Sequence, residues 1–362
     1  GNGVIDTSTN STPMPKGQDE CVLFTVGPGG GNARAMGVDK DDHGWVGMWS
    51  EARLHQLHRD DGHVMQSINI PNNPYGLAID QSGIIWVAGR GGSKLVKVNP
   101  ANGSQKTYSP NLSCGYSPYG ITIDENGRIW TANCCCKHLA YRFDPVTENW
   151  ASADVDARPR GIAAAGNGYV YVANDQSNRV AKVDINTMQT VGWADLGNGK
   201  FPIGMGVDFD GNVWAINQSS SSGIKIDANS MNKLMETSTG PSPYTYSDMT
   251  GFQQKTVVAP QGTYIHEFEG WEEATTQWIK VSIDVTTPGD SYSKLRVRSA
   301  DTKGALGANP WSPYFGPFPP NSPTVNLTEF GTVVGRYLQV EVMLIADQDK
   351  KVPTLKNIDV VA

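Results

Sequence analysis

The chain has 362 residues, of which 40 are Gly and 22 are Pro, and only 18% are charged. Gly and Pro at this level disfavour long helices, because each is costly in a helix interior, and no apolar run reaches the ~20 residues of a membrane-spanning helix. A net charge of −7 argues against nucleic acid as the main partner, while ten Trp and 13 Tyr supply core material and argue against disorder.

Taken in chain order, residues 1–19 read as a linker. Gly1-Asn2-Gly3-Val4-Ile5-Asp6 looks either like the tail of an Asp-rich calcium loop in a trimmed product or like an ordinary polar stretch. Residues 21–26 predict a strand with no repeat of its own, which we expect to complete a composite last blade.

From residue 34 the chain repeats. Pro74-Tyr75-Gly76-Leu77-Ala78-Ile79-Asp80, then Gly83 and Trp86-Val87-Ala88, returns as Pro118-Tyr119-Gly120 to Asp124, Gly127 and Trp130-Thr131-Ala132. It returns again as Pro202-Ile203-Gly204 to Asp208, Gly211 and Trp214-Ala215-Ile216. A worn copy starts at Pro159-Arg160-Gly161 and an upstream one at Arg34-Ala35-Met36. The aromatic anchors Trp45, Trp86, Trp130, Tyr171 and Trp214 are 41, 44, 41 and 43 residues apart. Each unit predicts four short strands: the Gly-Leu-Ala-Ile-Asp type, the Trp strand after a Gly turn, an apolar third strand such as Leu95-Val96-Lys97-Val98, and a polar fourth such as residues 104–108. Four strands per ~42 residues without helices is the arithmetic of a β-propeller blade. A sixth copy opens at Pro243-Tyr244-Thr245 and then loses the pattern, so the repeat allows five or six blades.

After residue 252 the period vanishes. Strands are predicted at 263–268, 277–285, 294–299, 336–346 and 354–361. In 336–346, Leu338, Val340, Val342 and Leu344 share one face, with Gln339 and Glu341 on the other. The expected organisation is all-β: a linker (1–19), a propeller (20–251) and a jelly-roll-like β-sandwich (252–362). The Pro-rich loop 309–323 matches no motif.

The Pro-Tyr-Gly-x-x-x-Asp…Gly-x-x-Trp-x-Ala pattern resembles the propellers of virginiamycin B (streptogramin) lyase and of NHL and SMP-30-like proteins, over residues 34–250. The C-terminal stretch resembles sandwich modules appended to large secreted bacterial surface proteins. The first resemblance implies the fold. Streptogramin lyase places loop His and Glu with magnesium at its channel mouth to eliminate across an ester. The corresponding loops here read Asn174-Asp175-Gln176-Ser177 and Asn217-Gln218-Ser219-Ser220, with neither His nor Glu, so the catalytic groups do not carry over. Among the six His (43, 55, 58, 63, 138 and 266), four crowd into the first blade, where Glu51 and His55 offer an alternative acid–base pair.

In a propeller, the loops entering the first strand and joining the second to the third share one face. That predicts a channel mouth lined by Arg34, Tyr75, Tyr119, Arg160 and Tyr244 with Trp49, Arg90, Asn133, Asn174 and Asn217. Such a lining suits a sugar or a planar, weakly anionic ligand; the competing reading is that these side chains only pack the rim. Cys134-Cys135-Cys136 and Cys114 fall at the same end of blade three. They offer a disulfide, free thiols, or a soft-metal set of Cys134, Cys136 and His138, and Cys21 is expected to be unpaired. Asp39-Lys40-Asp41-Asp42 reads as a calcium loop or a solvated turn, so calcium is the one cofactor raised. The expectation is a non-catalytic protein, secreted or at the cell surface, that recognises a protein or glycan and can assemble with itself or others. A divergent propeller lyase or hydrolase, and a metal-handling protein using the Cys cluster, are the alternatives.

Overall fold

A computed structural model describes residues 7–8, 14–15, 18–22, 24–90, 94–110, 115–134, 138–208, 210–245, 261–271, 275–318, 323–331, 333–347 and 351–362. The chain divides into two compact units, residues 1–258 and 259–362.

The first unit is a β-propeller whose described part comprises five four-stranded antiparallel blades, each ordered as in the sequence. Blade one is β1 (Ala33–Val38), β2 (Gly44–Met48), β3 (Arg53–Leu57) and β4 (Val64–Asn69). Blade two is β5 (Pro74–Ile79), β6 (Ile85–Gly89), β7 (Lys94–Val98) and β8 (Gln105–Tyr108). Blade three is β9 (Pro118–Ile123), β10 (Ile129–Asn133), β11 (Leu139–Phe143) and β12 (Trp150–Asp154). Blade four is β13 (Pro159–Ala164), β14 (Tyr169–Asn174), β15 (Arg179–Asp184) and β16 (Thr190–Asp195). Blade five is β17 (Pro202–Val207), β18 (Val213–Asn217), β19 (Ser222–Ile226) and β20 (Lys233–Ser238). Burial falls from inside to outside: β5 and β9 are buried at every residue, β20 is exposed at every residue.

Blades pack face to face. Four buried clusters each mix two neighbouring blades, as where Trp45, Leu54 and Ile68 meet Leu77, Val87 and Val96, or Trp86 and Leu95 meet Ile121 and Phe143. In blades three and four the repeat glycine of the inner strand lets the next strand approach. A methyl group at Gly120 would stand 2.5 Å from the Arg160 carbonyl oxygen, and one at Gly161 would stand 2.9 Å from Gly204 Cα. A methyl group at Gly204 would instead meet the Thr245 side chain, and Thr245 holds the glycine position in the sixth copy, Pro243-Tyr244-Thr245.

One carboxylate builds the first hairpin of four blades. Asp80 Oδ1 accepts from Ser82 N and Ile84 N, while Oδ2 accepts from the Trp86 indole at 2.9 Å. Asp124 repeats this with Asn126, Arg128 and Trp130, and Asp208 with Asp210, Asn212 and Trp214. Asp39 repeats it with Asp41, His43 and Trp45, and takes a fourth bond from Gln56. Its oxygens are thus filled by N–H donors, which is the turn and not the calcium-loop arrangement. The worn copy has lost both partners together: Ala165 stands for the Asp and Tyr171 for the Trp, and the Tyr171 hydroxyl donates to the Ala228 carbonyl instead.

Residues 21–26 correct an expectation. Residues 21, 22 and 24–26 form no strand; Phe24 and Val26 instead lie against Gly62, in the β3–β4 hairpin of the first blade. A short, mostly apolar run reads as a strand, but its composition does not distinguish a sheet segment from one laid on a neighbouring turn.

The second unit holds a four-stranded antiparallel sheet ordered β21 (Gln261–Glu269), β28 (Tyr337–Ile345), β24 (Tyr292–Ala300), β25 (Phe315–Phe318). A three-stranded sheet is ordered β26 (Thr324–Asn326), β23 (Lys280–Thr286), β29 (Thr354–Val361), and a short pair joins β22 (Gln277–Trp278) to β27 (Val333–Val334). Val281, Ile283 and Val285 of the smaller sheet share one buried cluster with Leu295, Leu338, Val340 and Val342 of the larger. The other face of β28 is covered too. Glu341 makes a bidentate pair with Arg296 (2.8 and 2.9 Å), and Trp311 and Tyr314 from the Pro-rich loop lie 4.8 and 4.6 Å from that guanidinium. Trp311 and Tyr314 of the stretch that matched no motif thus cover a buried ion pair.

Candidate functional site

Two positions of the repeat converge at the end of the blades where strand two turns into strand three. The first, one residue beyond the repeat proline, holds Arg34, Tyr75, Tyr119, Arg160, Ile203 and Tyr244. The second is four residues beyond the aromatic anchor and holds Trp49, Arg90, Cys134, Asp175 and Gln218. Ladder register fixes the second set: Pro74 stands opposite Gly89, Pro118 opposite Asn133, Pro159 opposite Asn174 and Pro202 opposite Asn217. Trp49 and Arg90 therefore correspond to Cys134 and Asp175, one residue beyond the asparagines.

At the centre two buried tyrosines meet edge-on, Tyr75 and Tyr119, with ring centroids 4.8 Å apart. Both hydroxyls bond that of Tyr244, Tyr75 at 3.1 Å. Burial pushes the Tyr119 hydroxyl well above the ordinary phenol range, with the bond from Tyr244 acting in the same direction, so it stays protonated. Guanidinium groups surround the pair. Arg34 lies 5.2 Å and Arg90 5.3 Å from the Tyr75 ring, and Arg160 4.7 Å from the Tyr119 ring. Contacts of this kind contribute about 0.5–2 kcal/mol each. Arg34 and Arg90 also donate to the Tyr75 hydroxyl at 3.5 and 3.3 Å, and Trp49 closes one side edge-on to Tyr75 at 5.2 Å.

Asp175 anchors the far side. It is buried, and its two oxygens accept from Arg158 Nε (2.5 Å) and Arg160 Nε (2.6 Å). Arg160 Nη1 also donates to Cys134 Sγ at 2.9 Å. The named charges are thus four guanidiniums against one carboxylate, in a site where Tyr244 is exposed and Arg34, Arg90 and Arg160 are half-buried.

The structure brings together Arg34, Trp49, Tyr75, Arg90, Tyr119, Arg160 and Tyr244, as the repeat suggested. Asn133, Asn174 and Asn217 are fully buried and act differently. Asn133 Oδ1 accepts from Ser117 N, Asn174 Nδ2 donates to the Val172 carbonyl, and Asn217 Nδ2 to that of Ala215. They brace the turns beneath the mouth. Asp175, Arg158 and Cys134 were not among the residues expected to line the mouth; counting four residues from each anchor aromatic places Asp175 and Cys134 there. Cys114, Cys135 and Cys136 lie outside the described residues, and the exposed Cys21 is free. His138, the third member of the proposed soft-metal set, is exposed at the start of blade three's third strand. The Glu51–His55 alternative finds His55 buried, its Nδ1 on Ser67 Oγ at 2.8 Å. Burial lowers its pKa, and Glu51 lies 3.6 Å from Arg53.

Five four-stranded blades whose loops meet at one aromatic–arginine mouth define the first unit as a β-propeller. Among solved structures the chain is similar to virginiamycin B lyase from Staphylococcus aureus in selenomethionine form, at 17% identity over 57% of this chain and 69% of that one, with a TM-score of 0.51. It is likewise similar to a streptogramin B lyase (19%; 60% and 72%; 0.52). A catalytically inactive variant of the Staphylococcus aureus enzyme with quinupristin gives 14%, 58%, 70% and 0.51. Identities this low establish the shared fold alone. No protein-family model and no curated protein matches the chain.

Proposed function

We propose that the protein is a non-catalytic binding protein, secreted or at the cell surface, whose propeller mouth recognises an anionic saccharide on a glycan partner. The observation that carries this reading is the alternation of Arg34, Arg90 and Arg160 with Trp49, Tyr75, Tyr119 and Tyr244 around one point. Guanidinium groups match carboxylate and sulfate geometry, and an exposed aromatic beside them stacks on the apolar face of a sugar ring. The acidic net charge of the whole chain, −7, makes a basic mouth a local feature. Neither His nor Glu occurs in the loops at residues 174–177 and 217–220, and the one acid there, Asp175, is paired with Arg158 and Arg160, which disfavours catalysis at this mouth. The cysteine-rich loops of blade three, with Cys114 and Cys134-Cys135-Cys136, fit an oxidising compartment. The C-terminal unit, two sheets over a common core, serves as a sandwich module for spacing, adhesion or assembly.

The test is a panel of acidic and neutral oligosaccharides against the intact chain. Binding should favour uronate- or sulfate-bearing members, weaken with salt, and fall about tenfold in Arg90→Ala and in Tyr244→Ala. Tyr75 and Tyr119 are unsuitable for this test, since their rings are core. Equal binding of neutral and acidic members, or unchanged binding in both variants, overturns the reading.

A further inference from the structure

We propose that blade one carries a divalent transition-metal site on the β3–β4 hairpin, formed by His58, Asp61 and His63. The antiparallel order of the blade puts this hairpin at the end opposite the mouth, so the site is separate from the one above.

The three ligand atoms lie within 4.8 Å of one another. Two of the separations are shorter: His63 Nδ1 to Asp61 Oδ1 is 2.7 Å, and His58 Nδ1 to the same oxygen is 3.4 Å. Ligands bound at 2.0–2.2 Å with tetrahedral angles stand roughly 3.3–3.5 Å apart, so an ion is enclosed by small rotations of side chains that are 30–64% exposed.

The backbone holds that geometry. His58 N donates to the His63 carbonyl at 2.9 Å and Gly62 N to the His58 carbonyl at 2.8 Å. Gly62 has φ +72°, and a methyl group there would stand 2.5 Å from Val26 Cγ1, so the segment at residues 24–26 packs against the turn. The His58 and His63 rings stack 4.8 Å apart at 16°. His43, on the adjacent β1–β2 turn, lies 5.1 Å from the His58 ring. Its Nδ1 accepts from Arg59 N at 3.2 Å, and His43 does not belong to the group of three ligand atoms that lie within 4.8 Å of one another; His58 Nδ1 accepts from Asp60 N at a longer 3.3 Å, a bond that an ion at that nitrogen replaces. It flanks the site without ligating.

Two imidazoles and one carboxylate select zinc, nickel, cobalt or copper(II) over calcium and magnesium, which prefer all-oxygen sets. The exposure of His63 and Asp61 leaves the remaining positions to water.

The test is a cobalt(II) titration of the metal-stripped, full-length chain, followed by absorption and calorimetry. One ion per chain is expected, with the visible bands of nitrogen–oxygen ligation and no thiolate charge-transfer band. His58→Ala and His63→Ala should each weaken binding about tenfold or more, while His43→Ala changes it by less than about twofold. Asp61→Asn, which keeps an oxygen for the His63 amide, should also weaken it. A thiolate band would move the metal to the Cys cluster and overturn the proposal, as would unchanged affinity in both His58→Ala and His63→Ala or no binding by the native chain.

Discussion

At the residue scale, the unit that repeats is an acid bonded to an indole. Asp124 is the most enclosed example: buried, it accepts from two backbone amides, the Trp130 indole and Arg128 Nε at 2.8 Å. Removing it leaves those donors and a partly buried guanidinium without their acceptor. Asp124→Ala should therefore cost about 3–5 kcal/mol, read as a lowered urea midpoint. An unchanged midpoint would show that the lock contributes nothing. The six-residue spacing from Asp to Trp was plain in the sequence, but the bond between them was not, because periodicity reports the face a side chain takes and not its partner. A second test uses pH. Bonds from Lys200 and then Lys233 hold the Glu236 carboxyl down at about 2, below its ordinary value. Because the folded-state value is the lower one, the stability it contributes is present above the unfolded value near 4.5 and lost as pH falls toward 2. The pair is solvent-accessible, so the effect is small. Glu236→Gln should melt slightly below the native chain at about pH 6, and the gap should close as pH approaches about 2.

At the element scale, blades are spaced by missing side chains. Gly161 faces backbone: a methyl group would stand 2.8 Å from Met205 N and 2.9 Å from Gly204 Cα, where no side chain can move aside. Gly161→Ala should cost about 1–3 kcal/mol through forced separation of blades four and five. Gly211 differs, with open space around it but φ +78°; its Ala variant should cost about 1–2 kcal/mol through backbone strain alone. Chemical denaturation of both variants checks the pair, and the near-ultraviolet circular dichroism of packed aromatic side chains should change only for Gly161→Ala. The blade strands were legible because Pro, Gly, Asp and Trp recur at fixed offsets. In the second unit the long strands 263–268, 294–299, 336–346 and 354–361 were found, whereas β25, β26 and β27 were not. Those three have two to four residues each, too few for a period to register, and their pairing comes from the sheet they join.

At the scale of the whole molecule, the repeat predicted the ring of mouth residues but not its electrostatics. Tyr75 and Tyr119 were legible as mouth positions; that they are buried supports for the exposed Tyr244 depended on packing across blades. Asp175, which gathers Arg158 and Arg160, sat in a loop scanned for His and Glu. The likeness to streptogramin lyases carries the architecture, and the chemistry of this mouth is set by arginine and aromatic side chains. The most direct test is hydrogen exchange by mass spectrometry, on the full chain with and without the tightest acidic oligosaccharide of the panel. The account predicts protection at the mouth, in the peptides holding Tyr75, Arg90, Arg160 and Tyr244, and none at the 580 Å³ cavity of the second unit lined by Tyr264, His266 and Leu355. Protection confined to that cavity, with the mouth peptides unchanged, would contradict it.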